Sequence, residues 1–175
     1  MLKIYSDPEP IEEVVELAES DEEPPVPAGG IPRQWLPGFI RWPVRLILLP
    51  FICIDLAAQR LARILIPPPY KREGKCLKRG KCCHYILVPD AKGVFGKLFY
   101  FWNTQVLGFY QRMPEVYESE DGKPVLVMGC RYLQKNGACG HYFLRPTVCR
   151  KWPIIEHFGS PRIIKGCGFR AALKK

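Results

Sequence analysis

Cys76, Cys82, Cys83 and His84 fall within the nine residues of CLKRGKCCH. Four further thiols, Cys130, Cys139, Cys149 and Cys167, and a second imidazole, His141, follow downstream. Thiolate and imidazole are the side chains that bind soft and borderline cations. Zinc takes four N/S ligands at tetrahedral angles, and iron–sulfur clusters hang on thiolates. These nine residues are therefore the candidate ligands for zinc or iron, as single ions or as an iron–sulfur cluster. Adjacent Cys82 and Cys83 can seldom both aim at one ion, so they suit two neighbouring ions, or one ion with a supporting thiol. Lys75, Lys78, Arg79, Lys81, Arg131, Arg150 and Lys151 stand beside the cysteines. Cations so placed lower thiol pKa values and offset thiolate charge.

The spacing narrows the chemistry. No C-x-x-C occurs anywhere in the chain, which disfavours zinc ribbons, ordinary zinc fingers and thioredoxin-like redox sites. The intervals also differ from the common ferredoxin runs. A site made of these residues must be assembled from distant segments, and bound metal would offset the loop-closure entropy that opposes the assembly. The chain holds no H-E-x-x-H, glycine-rich phosphate loop or carboxylate pair. A nucleophilic cysteine needs a base and an orienting group, which closeness in sequence does not supply, so no residue is assigned a catalytic role. Cys53 differs from the other thiols: it sits in an apolar run and reads as a small buried hydrophobe. His157 stands alone and reads as a surface residue.

Three motifs in order, CLKRGKCC (76–83), CRYLQKNGACGHYFLRPTVCRKWP (130–153) and GCGF (166–169), resemble the cysteine-cluster family called YkgJ-like or CxxCxxCC, a zinc- or iron-chelating domain. The resemblance covers about residues 76–170 and implies chelation by the cysteines from Cys76 to Cys167. It also extends to domains joined to modifying enzymes, which keeps a metal-dependent or iron–sulfur redox enzyme as an alternative. The second cysteine of the heading motif falls on Arg79 here. If the family arrangement uses eight thiolates, this chain is one ligand short. His84 or His141 can replace the missing thiolate, one coordination position can stay open, or the heading motif can be degenerate and bind nothing.

The elements that must position these groups are legible in part. Residues 1–34 hold nine acids against Lys3 and Arg33 and run into proline and glycine after a short helical period, so they read as a mostly disordered acidic tail. Residues 35–66 read as an amphipathic helical segment. Arg41, Arg45, Asp55, Gln59 and Arg63 recur on one face, Trp35 and Trp42 anchor one end, and Arg60 and Arg63 anchor the other. Pro43 and Pro50 should break or kink it. Its longest uncharged run, Leu46 to Ile54, is too short to span a bilayer. Residues 67–75 form a proline and basic linker, and residues 76–172 the cysteine-cluster domain. Within that domain Tyr85–Pro89 reads as a strand, and residues 93–113 fit helix or loop equally. Two extended runs around Asp121-Gly122 predict a hairpin, with Pro124 suggesting a sheet edge. Pro146 and Pro153 bracket a short helix around Cys149 and Arg150. Arg145 and Arg150 read as partners of carboxylates or carbonyls.

Together these predict an α+β fold: a small cysteine-cluster metal-binding domain with a β-hairpin and short helices, preceded by the amphipathic segment and the acidic tail. At 175 residues one core is expected. The net charge of +9 hides two opposed parts, since residues 1–34 carry 2 − 9 = −7 and residues 35–175 carry 24 − 8 = +16. The basic part favours anionic partners. An anionic membrane surface met through residues 35–66 is one such partner. A basic adaptor for nucleic acid or protein, stacking bases on Tyr132, Tyr142, Phe143 and Trp152 around a structural metal, is the less favoured one. The start MLKIYSDPEP lacks the apolar core of a secretory signal. The expectation is therefore a cytoplasmic protein with reduced thiols, attached peripherally at the inner face of the membrane.

Overall fold

A computed structural model describes residues 9–20, 22–119, 122–155 and 161–174. His157 lies outside the described residues. The fold is mixed α+β. Its centre is a four-stranded sheet, ordered β1 (Glu9–Pro10), β4 (Phe109–Glu118), β5 (Pro124–Cys130) and β3 (Ile86–Pro89). The predicted hairpin is present as β4 and β5, paired antiparallel from Phe109 opposite Cys130 to Glu118 opposite Pro124. The register shifts between Gln111 and Val116, around Pro114, which has no N–H to give to a ladder. At the turn Gly122 has φ 70° and donates its N–H to the Ser119 carbonyl at 2.8 Å; Asp121 lies outside the described residues. The strand foreseen around Tyr85–Pro89 is β3, antiparallel to β5. Pro124 does not mark a sheet edge. β5 lies between β4 and β3, and the proline is tolerated as its first residue.

Alternation along β5 divides the core. Val125 and Val127 face one side, with Tyr85, Met113 and Tyr117; Leu126 and Met128 face the other, with Ile86, Val88 and Phe109. Cys130 and Cys149 pack against the second group, so that face of the sheet carries the thiols. The first group is closed by α1 (Glu12–Glu19), whose Ile11, Val14 and Ala18 are buried. The expected disorder over residues 1–34 therefore does not hold for residues 9–19. A helix of this length is marginal alone, but here its apolar stripe covers a sheet face and its leading strand β1 pairs parallel to β4.

The segment over residues 35–66 forms one helix, α2 (Gly38–Leu65), which runs through Pro43 and Pro50 without a break. The residues expected to be a linker instead supply a strand: β2 (Tyr70–Gly74) pairs antiparallel with β6 (Phe169–Leu173) along its whole length. Along the chain between β2 and β6 come α3 (Lys81–His84), α4 (Gly93–Phe101), a π-helical turn (Trp102–Val106), a 3-10 turn (Tyr142–Leu144) and α5 (Thr147–Lys151). The ambiguous residues 93–113 thus divide into helix, π turn and the start of β4. α5 begins after Pro146 and ends before Pro153, with Cys149 at its middle.

Candidate metal centre

Each thiol is brought in by a different local device. Gly80, with φ 72°, turns the chain into α3, where Cys83 and His84 donate their N–H groups to the Gly80 carbonyl at 2.7 and 3.2 Å. Cys82 and Cys83 thus stand next to β3. Its pairing with β5 aligns Ile86 with Met128, so Cys130, two residues further on, is carried toward α3. Cys139 returns through a small loop closed by the Leu133–Cys139 bridge and by the Gly140 N–H to Tyr132 carbonyl bond at 2.8 Å. α5 supplies Cys149. All five thiols are free and partly buried.

These five thiols feel one another. Burial first, then Cys130, Cys82 and Cys139, push Cys149 up to about 12. Burial and Cys139 likewise raise Cys130. Cys83 is raised because its S–H is held by Cys82, with burial, Cys130 and Cys149 adding to this. The same hydrogen bond, aided by Arg145 against the cost of burial, lowers Cys82 to about 7. In physical terms a single thiolate is stabilised at Cys82, and ionising further thiols beside it is opposed by repulsion and desolvation. A divalent cation would reverse that sign.

Cys76 and Cys167 belong to a second, adjoining place. Both line a small cavity of about 40 Å³ with Cys82, Trp152 and Arg79. The β2–β6 pairing sets this up by bringing Lys75, which donates to the Gly168 carbonyl at 3.2 Å, alongside the chain at Cys167. Arg79 reaches the same cavity; a Cβ built on Gly166 would lie 2.7 Å from its Nη1. A guanidinium thus stands beside the Cys76 and Cys167 thiols.

The histidines are engaged elsewhere. Arg112 Nη2 donates to His84 Nδ1 at 3.0 Å, and burial with that guanidinium lowers His84 to about 4. His141 lies in a ring stack, 3.8 Å from Tyr132 and 4.7 Å from Trp42 between centroids, and is lowered by burial, Arg45 and Arg41. A cation at either imidazole would be repelled by these neighbouring guanidinium groups. Among the described residues no three histidine, cysteine, aspartate or glutamate side chains are arranged so that one ion could sit between them. The donor set suits zinc or iron, but the thiols as placed do not close on an ion.

The charge compensation differs from the sequence expectation. Lys81 donates to the Glu19 and Ser20 carbonyls, Arg131 to the Pro32 carbonyl, and Arg150 to the Arg145 and Phe143 carbonyls. The charges acting on the thiols come from Arg145, which lies 3.7 Å over the Tyr142 ring and lowers Cys82 and Cys149, and from Arg45 of α2, which lowers Cys130. Arg45 and Cys130 are 85 residues apart, and only the docking of α2 on the domain relates them, so no local spacing points to Arg45.

 

Cys53, expected to be buried, is exposed on α2, because that helix turns its polar side to the domain. The aromatic side chains considered for base stacking are dispersed: Tyr132 is taken up by His141, while Tyr142 and Phe143 are exposed. Compared with known protein families, curated proteins and solved structures, the chain matches none.

Proposed function

We propose that this chain is a cysteine-cluster protein that chelates zinc or iron, with the ion either holding the fold or carried as cargo. The observation that carries the reading is that Cys82, Cys83, Cys130, Cys139 and Cys149, from four separate segments, are all free and partly buried in one part of the domain. Ionising more than one of these grouped thiols is opposed by burial and mutual repulsion, and a bound divalent cation would reverse that balance. Cys76 and Cys167 are the donors nearest a second position, with Arg79 in place of a further ligand. Closing on an ion requires side-chain rearrangement of the thiols, which their partial burial permits. The test is replacement of Cys83 or Cys149 by serine in the full chain: each variant should lose metal relative to the parent, and equal metal content in parent and variants would overturn the ligand set.

One observation favours a second reading, a thiol redox or transfer centre. Cys82 is held near pH 7 by the Cys83 S–H and by Arg145, a setting that gives a nucleophilic thiolate at neutral pH. Alkylation of metal-free protein across pH separates the two. A Cys82 adduct forming with an apparent pKa near 7, in protein that takes up no zinc or iron, would favour redox chemistry over chelation.

A further inference from the structure

We propose that the outer face of α2, together with α4 and Trp35, is a docking surface that lies flat in the interface of an anionic phospholipid membrane. The helix is mounted the opposite way round from one that builds a core. The two arginines of its first half turn inward: Arg45 is 5% exposed, donates to the Leu144 carbonyl at 2.6 Å and stacks on Trp42 and Tyr132, while Arg41 donates to Gln34 and Tyr132. Asp55 reaches Lys151 at 3.8 Å. The opposite side leaves Phe39, Leu46, Ile47, Phe51, Ile54 and Leu61 exposed along a helix of 28 residues, about 42 Å long.

Three observations choose a membrane over a protein partner. First, this strip has no hydrogen-bonding side chain to set a register, whereas protein interfaces carry roughly one hydrogen bond per 100–200 Å². Second, the strip continues onto another element. Trp35, 77% exposed, meets Phe101 of α4 edge-on at 6.4 Å, and α4 presents Val94, Phe95 and Leu98 to solvent. Tryptophan is enriched where apolar and aqueous media meet. Third, the charge matches. Between residues 24 and 72 the only carboxylate is Asp55, already paired with Lys151, whereas Arg33, Arg60, Arg63 and Arg72 are exposed there. No helix among the described residues is long and apolar enough to cross a membrane. Pro43 and Pro50 also remove the donors that would pair with the Phe39 and Leu46 carbonyls, groups that keep access to water in the interface but would lose it in the hydrocarbon. A helix lying in the plane, with the thiol domain on its aqueous side, satisfies all of these.

The test is flotation of the full chain with vesicles of phosphatidylcholine and phosphatidylglycerol, against phosphatidylcholine alone. The parent should float with the anionic vesicles and less with the neutral ones. Ile47→Asp combined with Ile54→Asp, and separately Phe95→Asp, should lower partitioning by at least about tenfold, with the thermal midpoint and metal content of the parent retained because the altered side chains are exposed. The proposal is overturned if the parent stays unbound with anionic vesicles, if the variants float as well as the parent, or if the strip instead closes a dimer that Ile47→Asp/Ile54→Asp converts to monomer. Flotation is scored by lipid binding, with metal content measured only as a control on the variants, so failure to float leaves the chelation reading standing.

Discussion

Cys82 and Cys83 are neighbours with opposite acid–base character: one S–H stabilises the other as thiolate, so the pair presents one charge where two thiolates would repel. His84, the next residue, is tuned in a different way. Burial and the Arg112 guanidinium hold its folded pKa near 4 against an ordinary 6.5. The folded state thus favours the neutral ring, and the unfolded chain takes up a proton first as pH falls. Its contribution to stability is present above 6.5 and is lost as pH falls from 6.5 toward 4. Metal-free, reduced parent should therefore show a falling urea midpoint over that window, and His84→Gln a flatter profile; identical profiles would remove His84 from the account. The residue types of the site were legible, because thiols crowded within a few positions announce their chemistry. Arg145 and Arg45 were not legible as their electrostatic partners, since one acts through a turn and the other through a docked helix.

At the scale of elements, α1 and the loop around Gly137 are the most exposed to test. Val14 is 2% exposed and Val15 47%. Val14→Ala should cost about 2 kcal/mol and Val15→Ala less than about 0.5 kcal/mol, measured by urea unfolding. Equal, small effects would mean that α1 does not cover the sheet. Gly137, with φ 74°, presses on the first cysteine loop: a Cβ there would fall 1.6 Å from the Lys78 carbonyl oxygen. Gly137→Ala should cost at least about 1 kcal/mol and speed alkylation of Cys139; an unchanged rate would show that the two loops are not coupled. The hairpin, β3 and α5 were readable because their signals are local, in alternation, turn residues and flanking prolines. β1, α1 and β2 were hidden because their stability comes from partners distant in sequence, and the acids, glycine and prolines around them carry the signature of an unstructured chain.

For the molecule as a whole, two sheets and one inverted helix set a basic domain of half-buried thiols beside an apolar outer face. The class α+β follows from composition and pattern; the mounting of α2 does not, because periodicity identifies two faces without saying which one the domain covers. The central claim is that thiols from separate segments share a cation. It is tested most directly by purifying the full chain without oxygen, measuring zinc and iron, and counting reactive thiols before and after chelation. The account predicts at least about one equivalent of zinc or iron per chain, with thiols becoming reactive when the metal is removed. Metal-free protein that takes up neither ion when they are supplied, with the same thiol count before and after chelation, would contradict it.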